Sequence, residues 1–147
     1  MDITIRHAKP TDIKSLVGLL KELFEIEGFV SDENKQSKGL ALLLESKKNC
    51  VVLAEYHSEV IGMCTIQTLI STAEGSNVGL IEDVIVKNEY AGKGVGRKLI
   101  LEIERWAHSQ GLTRLQLLAV HDNQPALNFY AKMDWVETSM IGLRKVI

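Results

Sequence analysis

Two neighbouring stretches, Val78-Gly-Leu-Ile-Glu-Asp-Val-Ile-Val86 and Tyr90-Ala-Gly-Lys-Gly-Val-Gly-Arg-Lys98, decide how the rest of this chain is read. The first is a nearly continuous apolar run, the pattern of a central strand covered on both faces. Its two acids, Glu82 and Asp83, need a reason to be there, because charge leaving water is costly unless paired, hydrogen-bonded or beside a wet cleft. In a regular strand adjacent side chains point to opposite faces, so only one of the two can face the cleft. The second stretch carries glycine at 92, 94 and 96. Glycine removes the side chains that would hold a ligand off the backbone, and it permits angles closed to other residues. The loop opens onto a helix, since Val95, Leu99, Ile103, Trp106 and Ala107 form one apolar stripe. Unpaired N–H groups and the positive end of the helix dipole favour an anion there, and Lys93, Arg97 and Lys98 add formal charge. A phosphate or pyrophosphate is the natural guest.

Three glycines can also make a tight strand-to-helix turn that binds nothing. The buried strand before them and the amphipathic helix after them are what an anion site requires. Two nucleotide motifs do not fit. A P-loop needs Gly-x-x-x-x-Gly-Lys followed by Ser or Thr, and no such hydroxyl is present. The dinucleotide fingerprint needs Gly-x-Gly-x-x-Gly within a βαβ unit, with an acid about 20 residues further on, and the spacing here is different.

Working outward, Ile3, Ile5 and His7 alternate as a short strand, and Pro10-Thr11-Asp12 supplies a helix start. Ile13, Leu16, Val17, Leu19, Leu20 and Phe24 continue at helical spacing to a stop near Gly28. Ser31-Asp32-Glu33 opens a second helix that runs to Lys47-Lys48. Cys50 to Tyr56 and Val60 to Ile70 read as a β-hairpin about His57-Ser58-Glu59, and Thr72 to Asn77 reads as a loop. Beyond the glycine loop and its helix, Gly111 suits a helix end and Leu115 to Val120 reads as a strand. Asn123 caps a helix through Ala126, Phe129, Tyr130 and Met133, and Trp135 to Val146 reads as one or two closing strands with a bend at Gly142.

The chain has 147 residues and a formal net charge of −2, which suits one domain over residues 1–147. The balanced charge calls for neither nucleic acid nor an anionic membrane as partner. No secretory signal and no apolar run of about 20 residues is present, so a cytoplasmic location without a membrane span is expected. Cys50 and Cys64 fall on paired strands and read as buried thiols. The four histidines have no partners at ligand spacing, and no metal is expected.

Ala91-Gly92-Lys93-Gly94-Val95-Gly96 resembles the central motif of the GNAT superfamily of N-acetyltransferases, in which Arg or Gln is usual at the position of Ala91. Asn123-Gln-Pro-Ala126-Leu-Asn-Phe129-Tyr130-Ala-Lys132-Met-Asp134-Trp135 looks like the family's second signature, with Asp134 where Gly is usual. Ile5-Arg-His-Ala-Lys-Pro-Thr-Asp12 resembles its first strand and helix start. The resemblance covers nearly the whole chain. It implies an α/β (α+β) fold, with a mixed, mostly antiparallel central sheet of about six to seven strands flanked by four helices.

The resemblance also implies acetyl-CoA as cosubstrate, with its pantetheine on the main chain of Val84, Ile85 and Val86. Its pyrophosphate would lie on Ala91 to Lys98, and Asn123 and Phe129 would line the groove. Glu82 would take the proton of the amine, directly or through a water, although both acids could instead be structural. Tyr130 would donate to the departing sulfur. The acceptor would lie near Phe24, Glu25, Glu27, Phe29, Asp83 and the 72–77 loop, and Glu74 could help attract it, although exposed acids at a helix end are more often simply solvated. The activity implied is transfer of acetyl from acetyl-CoA to a primary amine of a small molecule, by direct attack in a ternary complex. Protein or peptide amines are the alternative acceptors, a non-catalytic acyl-CoA sensor is the alternative class, and a homodimer is compatible with either.

Overall fold

The computed structural model describes residues 1–147. The chain falls into two units, Met1–Gln116 and Leu117–Ile147. In order, the elements are β1 (Thr4–His7), α1 (Ile13–Glu27), α2 (Glu33–Glu45), β2 (Asn49–Tyr56), β3 (Glu59–Ser71), β4 (Ser76–Val86), α3 (Val95–Ser109), β5 (Leu115–Leu117) and α4 (Gln124–Lys132). The five strands form one sheet in chain order, with β1 to β4 successively antiparallel. No helix is long and apolar enough to cross a membrane.

Within the first unit, local chemistry sets each boundary. Asp12 accepts from the Lys9 N–H at 2.8 Å and receives both terminal nitrogens of Arg6 at 2.9 Å, and Arg6 also reaches Glu55 at 3.0 Å. This group ties β1, the start of α1 and β2 together through charge-assisted bonds. Helix α1 buries Leu16, Leu19, Leu20 and Leu23 on one stripe. It ends at Gly28, whose φ of 77° is the left-handed conformation that glycine adopts without penalty. The Phe29 N–H then reaches back to the Phe24 carbonyl at 2.8 Å, and the two rings meet edge-on at 6.2 Å. Asp32 caps α2 by accepting from the Lys35 N–H at 3.0 Å.

Strands β2 and β3 join through a two-residue turn, His57-Ser58, with both φ angles positive. A turn of this kind matches the twist of the strands it joins. One sheet face carries Val51, Leu53, Met63 and Ile85 into a core with α1 and Leu40 of α2. The other faces α3, whose Leu99 lies against Gly62: a Cβ on that glycine would stand 3.1 Å from Leu99 Cδ1. Cys50 and Cys64 are diagonal neighbours on this face, free and buried, and burial pushes both thiols upward, Cys50 to about 12.

At the base of β4, the Gly79 N–H donates to the Arg114 carbonyl at 2.9 Å and the Thr113 N–H to the Asn77 carbonyl at 3.2 Å. A Cβ on Gly79 would lie 2.6 Å from Ile66 Cδ1 and 2.7 Å from Leu115 Cδ2. Two close-packed side chains would have to yield at once, so Gly79→Ala is expected to destabilise the protein by about 1–3 kcal/mol. The check is a lower urea midpoint at an unchanged slope.

The sheet has five strands, which corrects the six or seven expected, while four helices are present. Strand β4 starts two residues earlier than expected, at Ser76, and β5 stops at Leu117 rather than Val120. Residues 136–147 form no strand. Their apolar members, Val136, Met140, Ile141, Leu143, Val146 and Ile147, do not alternate and stay exposed. β-propensity expresses a fit to a paired, half-buried surface, and without ladder bonds it does not make a strand.

Candidate functional site

Strand β4 breaks its alternation where its acids lie. Ile81 pairs with Ile66 and Val84 with Cys64, so Glu82 and Asp83 together oppose the single residue Thr65. This is a β-bulge, two residues against one. Both acids consequently line the same cavity, contrary to the expectation from a regular strand that they face opposite sides. Thr65 fixes the bulge from across the ladder. Its hydroxyl donates to Asp83 Oδ2 at 3.0 Å and its Oγ1 accepts from the Asp83 N–H at 3.1 Å.

The cavity, about 380 Å³, has Leu20 and Phe24 of α1 and Leu40 and Leu43 of α2 as its apolar wall. Glu82 and Asp83 form the acidic wall, and Asn49, Gln67 and Gln36 add amides. Phe24 is held by the Phe29 ring at the end of its own helix. Glu82 is exposed, whereas Asp83 is half-buried. Burial raises the Asp83 carboxyl to about 6, against the Thr65 hydrogen bond and with the help of the Glu82 charge. Glu27 is also raised, by burial first and then by Asp83 and Glu82, which places all three acids in one electrostatic neighbourhood. Glu74 instead faces Arg114 at 3.9 Å and does not line the cavity.

The Asp83 shift has a consequence for stability. Because the folded value lies above the unfolded one, the ionised form is disfavoured in the fold. Stability from this group is full below about pH 4 and falls as pH rises to about 6. Asp83→Asn removes that fall while leaving an acceptor for Thr65. The variant is expected to gain on the order of 1–3 kcal/mol over the parent at pH 8 and little at pH 4, measured by denaturant melts at both values.

After β4, a turn of 3₁₀ helix at Asn88–Tyr90 leads into the glycine loop. Gly92 and Gly94 take φ of 73° and 79°, both left-handed. Gly96 does not need this freedom, since it lies in the first turn of α3. Gly94 is the N-cap, no side chain caps the helix, and the first intrahelical bond is Lys98 N–H to the Gly94 carbonyl at 3.1 Å. The preceding N–H groups of Val95, Gly96 and Arg97 are thus left for an outside partner. A Cβ on Gly92 or Gly94 would meet nothing within 4 Å, so there is open room before the loop. Arg97 and Lys98 are exposed and make no ion pair, and Lys93 Nζ lies 5.5 Å from the centre of the Tyr90 ring. This donor set fits a pyrophosphate. Ala91, in extended conformation, offers no side-chain polar group. Val84, Ile85 and Val86 follow the bulge, with Ile85 in the core against Met63.

In the second unit Asn123 Oδ1 accepts from the Ala126 N–H at 3.3 Å, so this side chain caps α4. The Tyr130 ring lies between Phe129, at 5.1 Å, and Trp135, at 5.8 Å. Asp134 has φ of 65°, and the Trp135 N–H returns to the Tyr130 carbonyl at 3.0 Å. This helix closure requires a left-handed residue, and Asp meets the need that Gly usually fills.

The sequence profile of the acetyltransferase (GNAT) family matches residues 16–135. The chain belongs to this family. A bovine (Bos taurus) thialysine N-epsilon-acetyltransferase is 30% identical over 141 residues, covering 87% of this chain and 81% of that protein. A spermidine N(1)-acetyltransferase of Thermoplasma acidophilum is 24% identical over 146 residues, covering 90% and 87%. The fold matches an aminoglycoside N-acetyltransferase in complex with CoA at TM-score 0.87, with 17% identity over 99% of this chain and 95% of that one. As a GNAT acetyltransferase this protein is an acyltransferase enzyme of a family that uses acetyl-CoA. Sequence reasoning missed Thr65 and Gln36. Thr65 has a signal only in its pairing with β4, and Gln36 only in being a polar residue one turn before the buried Leu40.

Proposed function

We propose that this acetyltransferase acylates a small primary amine that reaches the site as a cation. The observation that carries the reading is the pair Glu82 and Asp83 on one wall of the cavity, brought together by the bulge. An ammonium is attracted to such a wall, and it must lose a proton before its nitrogen can attack. Asp83, raised to about 6, is matched to accept that proton near neutral pH. On this reading the proposed base is Asp83, in place of the Glu82 expected from the sequence. That two relatives are named for the amines thialysine and spermidine supports the acceptor class.

The main chain of Val84 to Val86 and of Gly92 to Lys98 would hold acetyl-CoA, which when bound supplies an activated acyl carbonyl and a thiolate leaving group. Tyr130 is the proposed proton donor to that thiolate, on the strength of the second signature. Because the family match runs across both units, we take residues 1–147 as one catalytic domain.

The test is release of free thiol from acetyl-CoA in the presence of diamines, amino acids, amino sugars and peptide N-termini. Turnover with the small cationic amines supports the reading; turnover confined to peptides, or none at all, overturns it. In the same assay kcat/KM should rise with pH through about 6 in the parent enzyme. Glu82→Gln should keep that limb and Asp83→Asn should lose it.

A further inference from the structure

Thr65 is the most deeply buried polar side chain of the molecule, at 0% exposed, and it stands opposite Val51 in the sheet. A valine would fill the same space, and a hydroxyl taken out of water needs partners. Both bonds that this hydroxyl makes go to one residue: it donates to Asp83 Oδ2 at 3.0 Å and accepts from the Asp83 N–H at 3.1 Å. Side chain and backbone of Asp83 are thereby clamped together at the bulge. The other carboxylate oxygen, Oδ1, receives no hydrogen bond from the protein and is not fully buried. The charged groups around this carboxylate are both acids, Glu82 beside it on β4 and Glu27 from α1. Cys64 of β3 is a thiol that burial keeps protonated, and α2 and β2 bring only apolar and amide side chains to the cavity. No lysine or arginine lines it, so no cation of the protein orients Asp83.

We propose that Thr65 is a positioning residue for the acetyl transfer, its hydroxyl fixing Asp83 so that Oδ1 is the oxygen offered to the acceptor ammonium. The inference rests on the reading of Asp83 as the base and adds the group that aims it. One proton passes from the ammonium nitrogen to Oδ1, and the neutral nitrogen keeps its electron pair for attack on the acyl carbonyl. The same hydroxyl bond favours the ionised carboxylate, opposing the burial that disfavours it.

The experiment records kcat/KM against pH for the parent, Thr65→Val, Thr65→Ala and Thr65→Ser, with the small amine of highest turnover in the panel above. Removing the hydroxyl, as valine and alanine do, should move the limb at about 6 upward by roughly one to two pH units and lower kcat by about tenfold. Serine restores the hydroxyl and should return the limb to the parent position. A residue that only supported the fold would lower the rate and leave the limb where it was. Alanine, smaller than threonine, guards against a valine variant that folds poorly. Independently of turnover, carbon NMR of the Asp83 carboxyl in the protein alone should show its titration midpoint moving upward in the same two variants. A limb that Asp83→Asn abolishes but that neither valine nor alanine moves, with an unmoved carboxyl midpoint, overturns the role of Thr65 and leaves Asp83 as the base. A parent without that limb, or a limb that survives Asp83→Asn, overturns Asp83 as the base and this inference with it.

Discussion

Gly94→Val is expected to weaken acetyl-CoA binding by at least about 100-fold, with the fold retained. Two effects act together at this position. The φ of 79° is one that a β-branched residue adopts only under strain, so the loop shifts or the start of α3 moves. The space a Cβ would enter is open to solvent, which is the space a bound pyrophosphate needs. Moving the helix start also misaligns the N–H groups of Val95, Gly96 and Arg97, which no side chain caps. Isothermal titration of acetyl-CoA into the variant, beside a circular dichroism check that its helices persist, decides the matter. An unchanged affinity would remove the glycine loop from the cofactor site.

Tyr130→Phe is expected to lower kcat by about 100-fold while leaving the dissociation constant of acetyl-CoA nearly unchanged. The substitution deletes one phenol and keeps the ring. The ring that packs between Phe129 and Trp135 and the backbone of residue 130 that closes α4 are both kept. A loss confined to turnover marks proton donation. If cofactor binding fell as far as turnover, Tyr130 would be holding structure together instead.

The parts of this molecule that could be read from its sequence are those set by local chemistry. Pro10 and Asp12 announced α1, Gly28 its end, Asp32 and Asn123 the caps of α2 and α4, and Gly111 the end of α3; each acts within a turn of its own position. The glycine loop was legible for the same reason, down to the left-handed angles at Gly92 and Gly94, although Gly96 turned out to be plain helix. What escaped depends on a partner far along the chain. The placement of Asp83 follows from Thr65, 18 positions away across a ladder, and no pattern within β4 distinguishes a bulge from a regular strand. The closing strands were expected from residue type alone, and residue type does not supply a neighbouring edge.

The bulge at Glu82 and Asp83 also does arithmetic for the strand that carries it. Ile81 and Val84 face the same side of the sheet although they stand an odd number of residues apart, because two positions are spent against one partner. An ordinary strand would have reversed that parity. Deleting either acid would therefore remove the bulge together with a carboxylate. It would restore one-to-one pairing and leave Val84 opposite Cys64 and Ile85 opposite Met63, so the core contacts would be kept while the doubled acidic wall is lost. The second acid is thus an insertion that the strand absorbs locally, gained or lost without disturbing the orientation of the residues on either side of it.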